Sequence, residues 1–309
     1  MKIITCQPSN QRFHWELEVL ATNLIKLGQK PENIVFLFLK GEQDGQAYVD
    51  YFKDTFGIEA HAYEDTRDYT GYIPNIKPWL WTQYLKEDIT RSFHTYLYID
   101  SDVILTRLPD LAKFPKLDAN HWYCSDTLGY TSYNYLNSVA YADEILAKMC
   151  NLAGIDKVTL AKYNENEGGA QWLIKNPTLS YWEQAYQLSN SFWQYFKTIR
   201  TKTDLEHIDK GLQTWAAQMY AETFAGLAQG IVPEVSKELE FAWCPDETTA
   251  NPEALFVHNS GDLSPETLFS KADYMNSEPY HADFSKIDKD TWSYQYVKAV
   301  IEAGKQLNK

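Results

Sequence analysis

Two carboxylates close an apolar run in the stretch Thr95-Tyr-Leu-Tyr-Ile-Asp100-Ser101-Asp102-Val-Ile-Leu105. The run Tyr96 to Ile99 reads as a buried central strand. Asp100 and Asp102 stand at its carboxyl end. Side chains alternate along an extended chain, so the two acids are expected on one side of it. Buried acids must be paired, protonated or bound to a metal. Ligands of open α/β sheets bind at the carboxyl ends of the strands. Paired oxygens there suit a hard divalent cation, Mg or Mn, with positions left open for a diphosphate. The plainer alternative is a turn pair after a strand, with Pro109 and Asp110 as further turn chemistry.

Other segments carry chemistry-bearing residues. Phe256-Val-His258-Asn-Ser-Gly261 is a short apolar strand ending in an imidazole, and Lys271 follows ten residues later. A neutral imidazole serves as a third ligand beside two carboxylates. A lysine offsets charge on a departing diphosphate. Asn164-Glu-Asn-Glu167-Gly168-Gly169-Ala-Gln171-Trp172 places adjacent glycines where backbone can approach a ligand closely. Lys77-Pro78-Trp79 opens a helix, and helix N-termini favour phosphate. Gln7 and Ser9 follow the first strand.

The elements that must position these residues alternate. Lys2 to Cys6, Asn33 to Leu39 and Ile58 to Tyr63 read as strands. Helices are expected from His14 to Leu27, closed by Gly28, from Gln46 to Phe56, closed by Gly57, and from Ile76 to Leu85. This βαβαβαβ order predicts an α/β fold with a doubly wound, mostly parallel sheet flanked by helices. The second half is less regular. Strands are expected at His121 to Ser125, Leu239 to Trp243 and Leu255 to Val257. Helices are expected from Ser138 to Leu152, from Ile208 to Ala228 with Gly230 at its end, and from Trp292 to Leu307. Asn164 to Ile174 reads as a glycine-containing loop entering a strand or helix. With no linker of low complexity, residues 1–309 read as one domain, 1–110 a nucleotide half and 111–309 an acceptor half.

The chain has 309 residues, 44% hydrophobic and 23% charged, an ordinary globular composition. The longest apolar run, Ile34 to Leu39, is too short to span a bilayer. The N-terminus shows no signal-peptide pattern, so the expected location is cytoplasmic. Cys6, Cys124, Cys150 and Cys244 are scattered and fit buried free thiols. Forty-two acidic residues against 28 basic ones give a net charge of -14. Tight nonspecific binding to nucleic acid rests on Lys and Arg contacts to phosphate, so the balance argues against that partner. The aromatic fraction, 15% with 22 Tyr and 10 Trp, suits sugar faces and nucleobases as well as a core. Dinucleotide, Walker, nucleophile-elbow and zincin motifs are all absent from the sequence.

The Asp100-Ser101-Asp102 arrangement resembles the Asp-X-Asp motif of nucleotide-sugar glycosyltransferases of the GT-A fold, over roughly residues 1 to 280. His258, Gly261 and Lys271 resemble the late His-X-X-Gly segment and lysine of that group. The resemblance implies a metal-dependent enzyme. Asp100, Asp102 and His258 would hold Mn or Mg, and Lys271 would contact the diphosphate of a UDP-sugar. It further implies Gln7, Ser9, Lys77, Ser101 and Gly261 on the nucleotide. The Gly168-Gly169-Ala-Gln171 segment is similar to one in the plant peptide-hydroxyproline arabinosyltransferase and peptide-serine galactosyltransferase group. That group also has a Glu-Met-Tyr helix, and here Gln218 stands in the place of its Glu, with Glu222 one turn on. The catalytic positions implied are Gln171, Glu222 and Lys271, with Gly168 and Gly169 beside the donor sugar. The expected acceptor is a hydroxyl on a peptide, a glycan or a small molecule. A phage-type enzyme acting on a modified DNA base and a catalytically silent nucleotide-sugar-binding protein are the two competing readings.

Overall fold

The structure is a computed structural model. It describes every residue except 42–44, 167, 204–210 and 262, and for 200–203 the backbone alone. Along the chain run β1 (Lys2–Pro8), α1 (Gln11–Lys26), β2 (Ile34–Leu39), α2 (Gly45–Phe56), β3 (Glu59–Tyr63), α3 (Ile76–Glu87), β4 (Thr95–Tyr98) and β5 (Val103–Leu105). Then follow β6 (His121–Ser125), α4 (Leu128–Thr131), α5 (Tyr133–Ser138), α6 (Ala142–Ala153), α7 (Lys157–Lys162), β7 (Gly169–Lys175) and α8 (Leu179–Thr203). The chain closes with α9 (Ala217–Ala228), β8 (Val232–Val235), β9 (Phe241–Trp243), β10 (Phe256–His258) and α10 (Trp292–Leu307).

The fold is α/β, with mostly parallel strand pairing flanked by helices. Parallel ladders join β1 to β2, β2 to β3, β6 to β8 and β9 to β10. Antiparallel ladders join β4 to β7, β6 to β7 and β5 to β10. Two compact units share these elements. One comprises Lys2–Asp65, Ile99–Lys113 and Glu238–Lys309; the other comprises Met1, Thr66–Tyr98 and Phe114–Lys237.

In the first unit β2 is buried at every residue, as a strand covered on both faces must be. Helix α1 begins where the Asn10 side chain accepts from the Phe13 N–H at 3.2 Å. It ends at Leu27, and Gly28 continues at φ +92°, a left-handed conformation that favours glycine. The Asn23 amide both accepts from the Leu105 N–H (2.8 Å) and donates to its carbonyl (3.0 Å). That pair fixes α1 against the open edge of β5. Trp15 and Val19 of α1 pack into a core with Ile104, Val257, Phe269 and Tyr296.

The second unit carries β4, β7, β6 and β8 in that order, with α8 and α9 packed together. Helix α8 was absent from the expected elements, although Tyr181, Ala185, Leu188, Phe192, Phe196 and Ile199 are buried along it at helical spacing. Two other expectations change. The helix expected from Ser138 starts at Ala142, because Tyr141 takes a left-handed φ of 60° and separates it from α5. The long helix expected from Ile208 is α9, which starts at Ala217 after a short 3-10 turn at Thr214–Ala216. Residues 208–210 of that expectation lie outside the described residues. So does Glu167 of the glycine loop, whose later part is strand β7. The four cysteines are buried and free, as expected. No helix among the described residues is long and apolar enough to cross a membrane.

Candidate metal and nucleotide site

The first unit gathers Asp100, Asp102, His258 and Lys271 from three separate segments. Strand β4 ends at Tyr98, so the Asp-X-Asp residues lie in the turn leading to β5, not on an extended strand. The acids nevertheless converge, because β5 and β10 fix the turn from the other side. Val103 pairs with His258 in the antiparallel ladder. The Asn259 N–H then donates to the Asp102 carbonyl at 2.9 Å. Gly261, at φ +72°, turns the chain away after β10. Lys271 opens a 3-10 turn, Lys271–Tyr274. The Trp15 indole N–H donates to the Tyr274 carbonyl at 3.0 Å and ties that turn to α1.

Nε2 of His258 lies 3.2 Å from Asp102 Oδ1 and 4.0 Å from Asp100 Oδ2. One ligand atom from each of the three residues lies within 4.8 Å of the other two. Two ligands at octahedral positions about 2.1 Å from a small cation stand about 3.0 Å apart when adjacent and about 4.2 Å when opposite. The two distances from His258 fall in that range. Two carboxylate oxygens and one imidazole nitrogen suit Mn or Mg, and three protein ligands leave positions for phosphate. The donor set therefore fits a divalent ion. His258 Nδ1 is buried with no partner among the described residues.

Asp102 uses its other oxygen, Oδ2, to hold the Lys271 ammonium. Burial pushes the Asp102 carboxyl up, but Lys271 and then His258 outweigh it and hold the group well below the usual carboxylate range. Burial likewise opposes the Lys271 charge, and Asp102 and then Glu16 more than offset it, so the ammonium is kept.

The sequence reading missed Glu16. It sits on α1, fully buried, and accepts from the Ser101 hydroxyl at 2.7 Å. Arg12 Nε lies 3.2 Å from its other oxygen. Burial, followed by the charge of Asp102, pushes its carboxyl up to about 7 against Arg12 and Lys271. The signal was present in Phe13-His-Trp-Glu16-Leu-Glu18-Val-Leu20, where two acids interrupt an otherwise apolar segment.

Ser101 therefore turns its hydroxyl toward α1. Gln7 is also engaged within the chain: it accepts from the Thr5 hydroxyl (3.0 Å) and donates to the Leu37 carbonyl (3.1 Å). Ser9 accepts from the Gly41 N–H at 3.0 Å.

The remaining expected site residues belong to the second unit. Lys77 lies half-buried in the first turn of α3. Gln171 is fully buried on β7, with neither amide atom partnered among the described residues. Ala170 before it takes φ +60°, an uncommon conformation for a residue with a side chain. Glu222 and Gln218 are buried on α9. A Cβ at Gly168 would meet Cys124 Sγ and the Ser125 carbonyl at 2.4 Å each. One at Gly169 would lie 2.8 Å from Met219 Cε. Packing within the chain is thus sufficient reason for glycine at 168, whereas at 169 the close atom is the end of a flexible side chain.

No family model matches this chain, and no curated protein matches it. Among solved structures, it superposes on the apo form of the WbbM bifunctional glycosyltransferase (TM-score 0.50, 10% identity) over 97% of this chain and 51% of that one. The chain thus spans about half the length of WbbM. An active-site mutant of LgtC also matches (TM-score 0.50, 12% identity) over 97% of this chain and 95% of that one. The glycosyltransferase GlyE of Streptococcus pneumoniae TIGR4 is a further match (TM-score 0.46, 10% identity) over 99% and 63%. The first two likenesses show a shared fold, the GT-A-like arrangement expected from the sequence. The narrower resemblance to the plant arabinosyltransferase group gains no support from them.

Proposed function

We propose that this protein is a metal-dependent glycosyltransferase. It would take a sugar from a nucleotide-diphosphate donor, a UDP-sugar, and pass it to a hydroxyl of a peptide, a glycan or a small molecule. The observation that carries this reading is the convergence of Asp100, Asp102 and His258, with Lys271 bound to the second oxygen of Asp102. A divalent ion held there would draw off negative charge that builds on the departing diphosphate. Asp102 serves two cations at once, its Oδ1 facing His258 and its Oδ2 holding Lys271. Lys271 brings a fixed positive charge to the site, oriented before any substrate arrives. The buried state of these groups strengthens each of these interactions relative to water. The second unit carries Gln171, Glu222 and Lys77, and by the resemblance we propose Gln171 and Glu222 as candidates for sugar transfer and Lys77 as a candidate for phosphate binding.

The test is a thermal-shift screen of nucleotide sugars with Mn, followed by product analysis with hydroxyl acceptors. A ligand at a hundred times its dissociation constant adds about 2.7 kcal/mol of stability. Stabilisation by UDP-sugars that needs Mn, with transfer abolished by EDTA, is the expected result. Full transfer in EDTA would overturn the metal reading. Binding with neither transfer nor hydrolysis would identify a silent sugar-nucleotide binder.

A further inference from the structure

We infer that Glu16 is a positioning residue for the metal ligands, acting through the hydroxyl of Ser101. This inference rests on the metal reading above. Ser101 lies between the two ligand acids, in a turn whose backbone belongs to no ladder of its own. The neighbouring contacts hold the turn only at its margins. The Ile99 N–H donates to the Ile4 carbonyl (3.1 Å) before it, and the Asp102 carbonyl accepts from Asn259 after it. Between those points, the bond from Ser101 Oγ to Glu16 Oε2 anchors the middle residue of the motif.

The anchor is rigid. Glu16 is fully buried on α1, and Ser101 is only 5% exposed. Helix α1 is itself fixed to β5 through Asn23 and to the Lys271 turn through Trp15. Arg12, one turn earlier on α1, balances the charge of Glu16. One helix therefore references Ser101, β5 and the Lys271 turn to a common frame. A buried acid is costly to desolvate, and its use here is to fix the direction of Asp100 and Asp102. Groups that hold metal ligands in place through a hydrogen bond commonly contribute about 10–100-fold in metal affinity.

The test measures Mn affinity of the full chain by calorimetry or electron paramagnetic resonance, without any sugar donor. Ser101→Ala and Glu16→Leu should each weaken Mn about tenfold while thermal unfolding shows a folded protein. Glu16→Gln keeps an acceptor for Ser101 and should stay within about threefold of the unaltered protein, taking the tenfold loss as scale. The pair Ser101→Ala with Glu16→Leu should be no weaker than the worse single variant, because both remove the same bond. Ser101→Ala is the mildest change and keeps the proposal testable where Glu16→Leu does not fold. Mn binding unchanged in Ser101→Ala, losses that multiply in the double variant, or a Glu16→Gln as weak as Glu16→Leu would each overturn this inference alone. An unaltered protein that binds no Mn would overturn the metal reading and this inference with it.

Discussion

The imidazole of His258 lies nearly flat on the indole of Trp243, ring centroids 5.2 Å apart and planes 18° from parallel. The contact follows from the parallel register of β9 and β10, which sets the two residues side by side. Nδ1 of His258 has no partner among the described residues, so no hydrogen bond from that atom orients the ring. The stack and the carboxylates do so instead. Trp243→Leu is expected to weaken Mn binding several-fold, since a stacked pair contributes about 0.5–1.5 kcal/mol beyond its buried area. Trp243→Phe should keep most of the affinity. Calorimetric titration with Mn checks both, and equal affinity in Trp243→Leu would show that the ring is oriented by the carboxylates alone.

Glu16 gives the metal-free protein a characteristic pH dependence. Its carboxyl moves from an ordinary value of 4.5 to about 7 on folding. Between those pH values the folded protein binds more protons than the unfolded chain. Stability from this group is complete below the lower value, falls as pH rises through the window, and is level above about 7. Asp102, whose folded value is depressed, acts in a separate window, losing stability only as pH falls below the usual carboxylate range. Glu16→Gln has no such proton. Its stability relative to the unaltered protein should therefore rise from pH 5 to pH 7.5, by on the order of 2–3 kcal/mol. Urea unfolding in EDTA at a series of pH values measures the difference, and a flat difference would refute the assignment.

Much of the first unit was legible because its residues obey simple periodicities. The all-apolar run of β2 and the glycines closing α1 and α2 leave one reading each. The convergence of Asp100, Asp102 and His258 was legible because two acids after an apolar strand, and an imidazole ending another, are costly unless used. Glu16 was not, since an acid within an apolar helix segment looks like a solvated face until the tertiary contact with Ser101 is known. Helix α8 carried a clear stripe, from Tyr181 to Ile199, within a segment rich in aromatic and polar residues that suggested no regular element. The adjacent glycines at 168 and 169 were read as a close approach to a ligand. What they approach is Cys124, Ser125 and Met219, which only the fold reveals.

That closeness makes Gly168→Ala a test of packing. The added methyl would stand 2.4 Å from the Ser125 carbonyl oxygen, a backbone atom that cannot swing aside. Overpacking of this kind costs about 1–3 kcal/mol. Gly169→Ala faces the end of the flexible Met219 side chain and should cost less. Denaturant midpoints with unchanged slopes would measure both losses, and a neutral Gly168→Ala would mean that β6 or the glycine segment shifts to make room.

The pair of Asp102 and Lys271 separates structural from catalytic effects. Both residues are buried, at 8% and 6% exposure, and each holds the other charged. Removing one partner of a buried ion pair leaves an uncompensated charge, which costs about 3–5 kcal/mol. Asp102→Asn should therefore unfold at distinctly lower denaturant, beyond any loss of Mn-dependent transfer. Lys271→Met should be destabilised as well, the more so as two buried acids, Asp102 and Glu16, lose the same cation. In the double variant Asn and Met leave no unpaired charge between these two positions, so the stability loss should be well below the sum of the single losses. On the proposed function transfer would not recover with it, because Asp102 would no longer give the ion a carboxylate and Lys271 would no longer face the diphosphate. Denaturant unfolding and Mn-dependent transfer, measured on the same three variants, report the two effects independently. Additive stability losses would show that the pair is not coupled in solution. A double variant that regained transfer along with stability would show that Asp102 and Lys271 serve the fold and not the reaction.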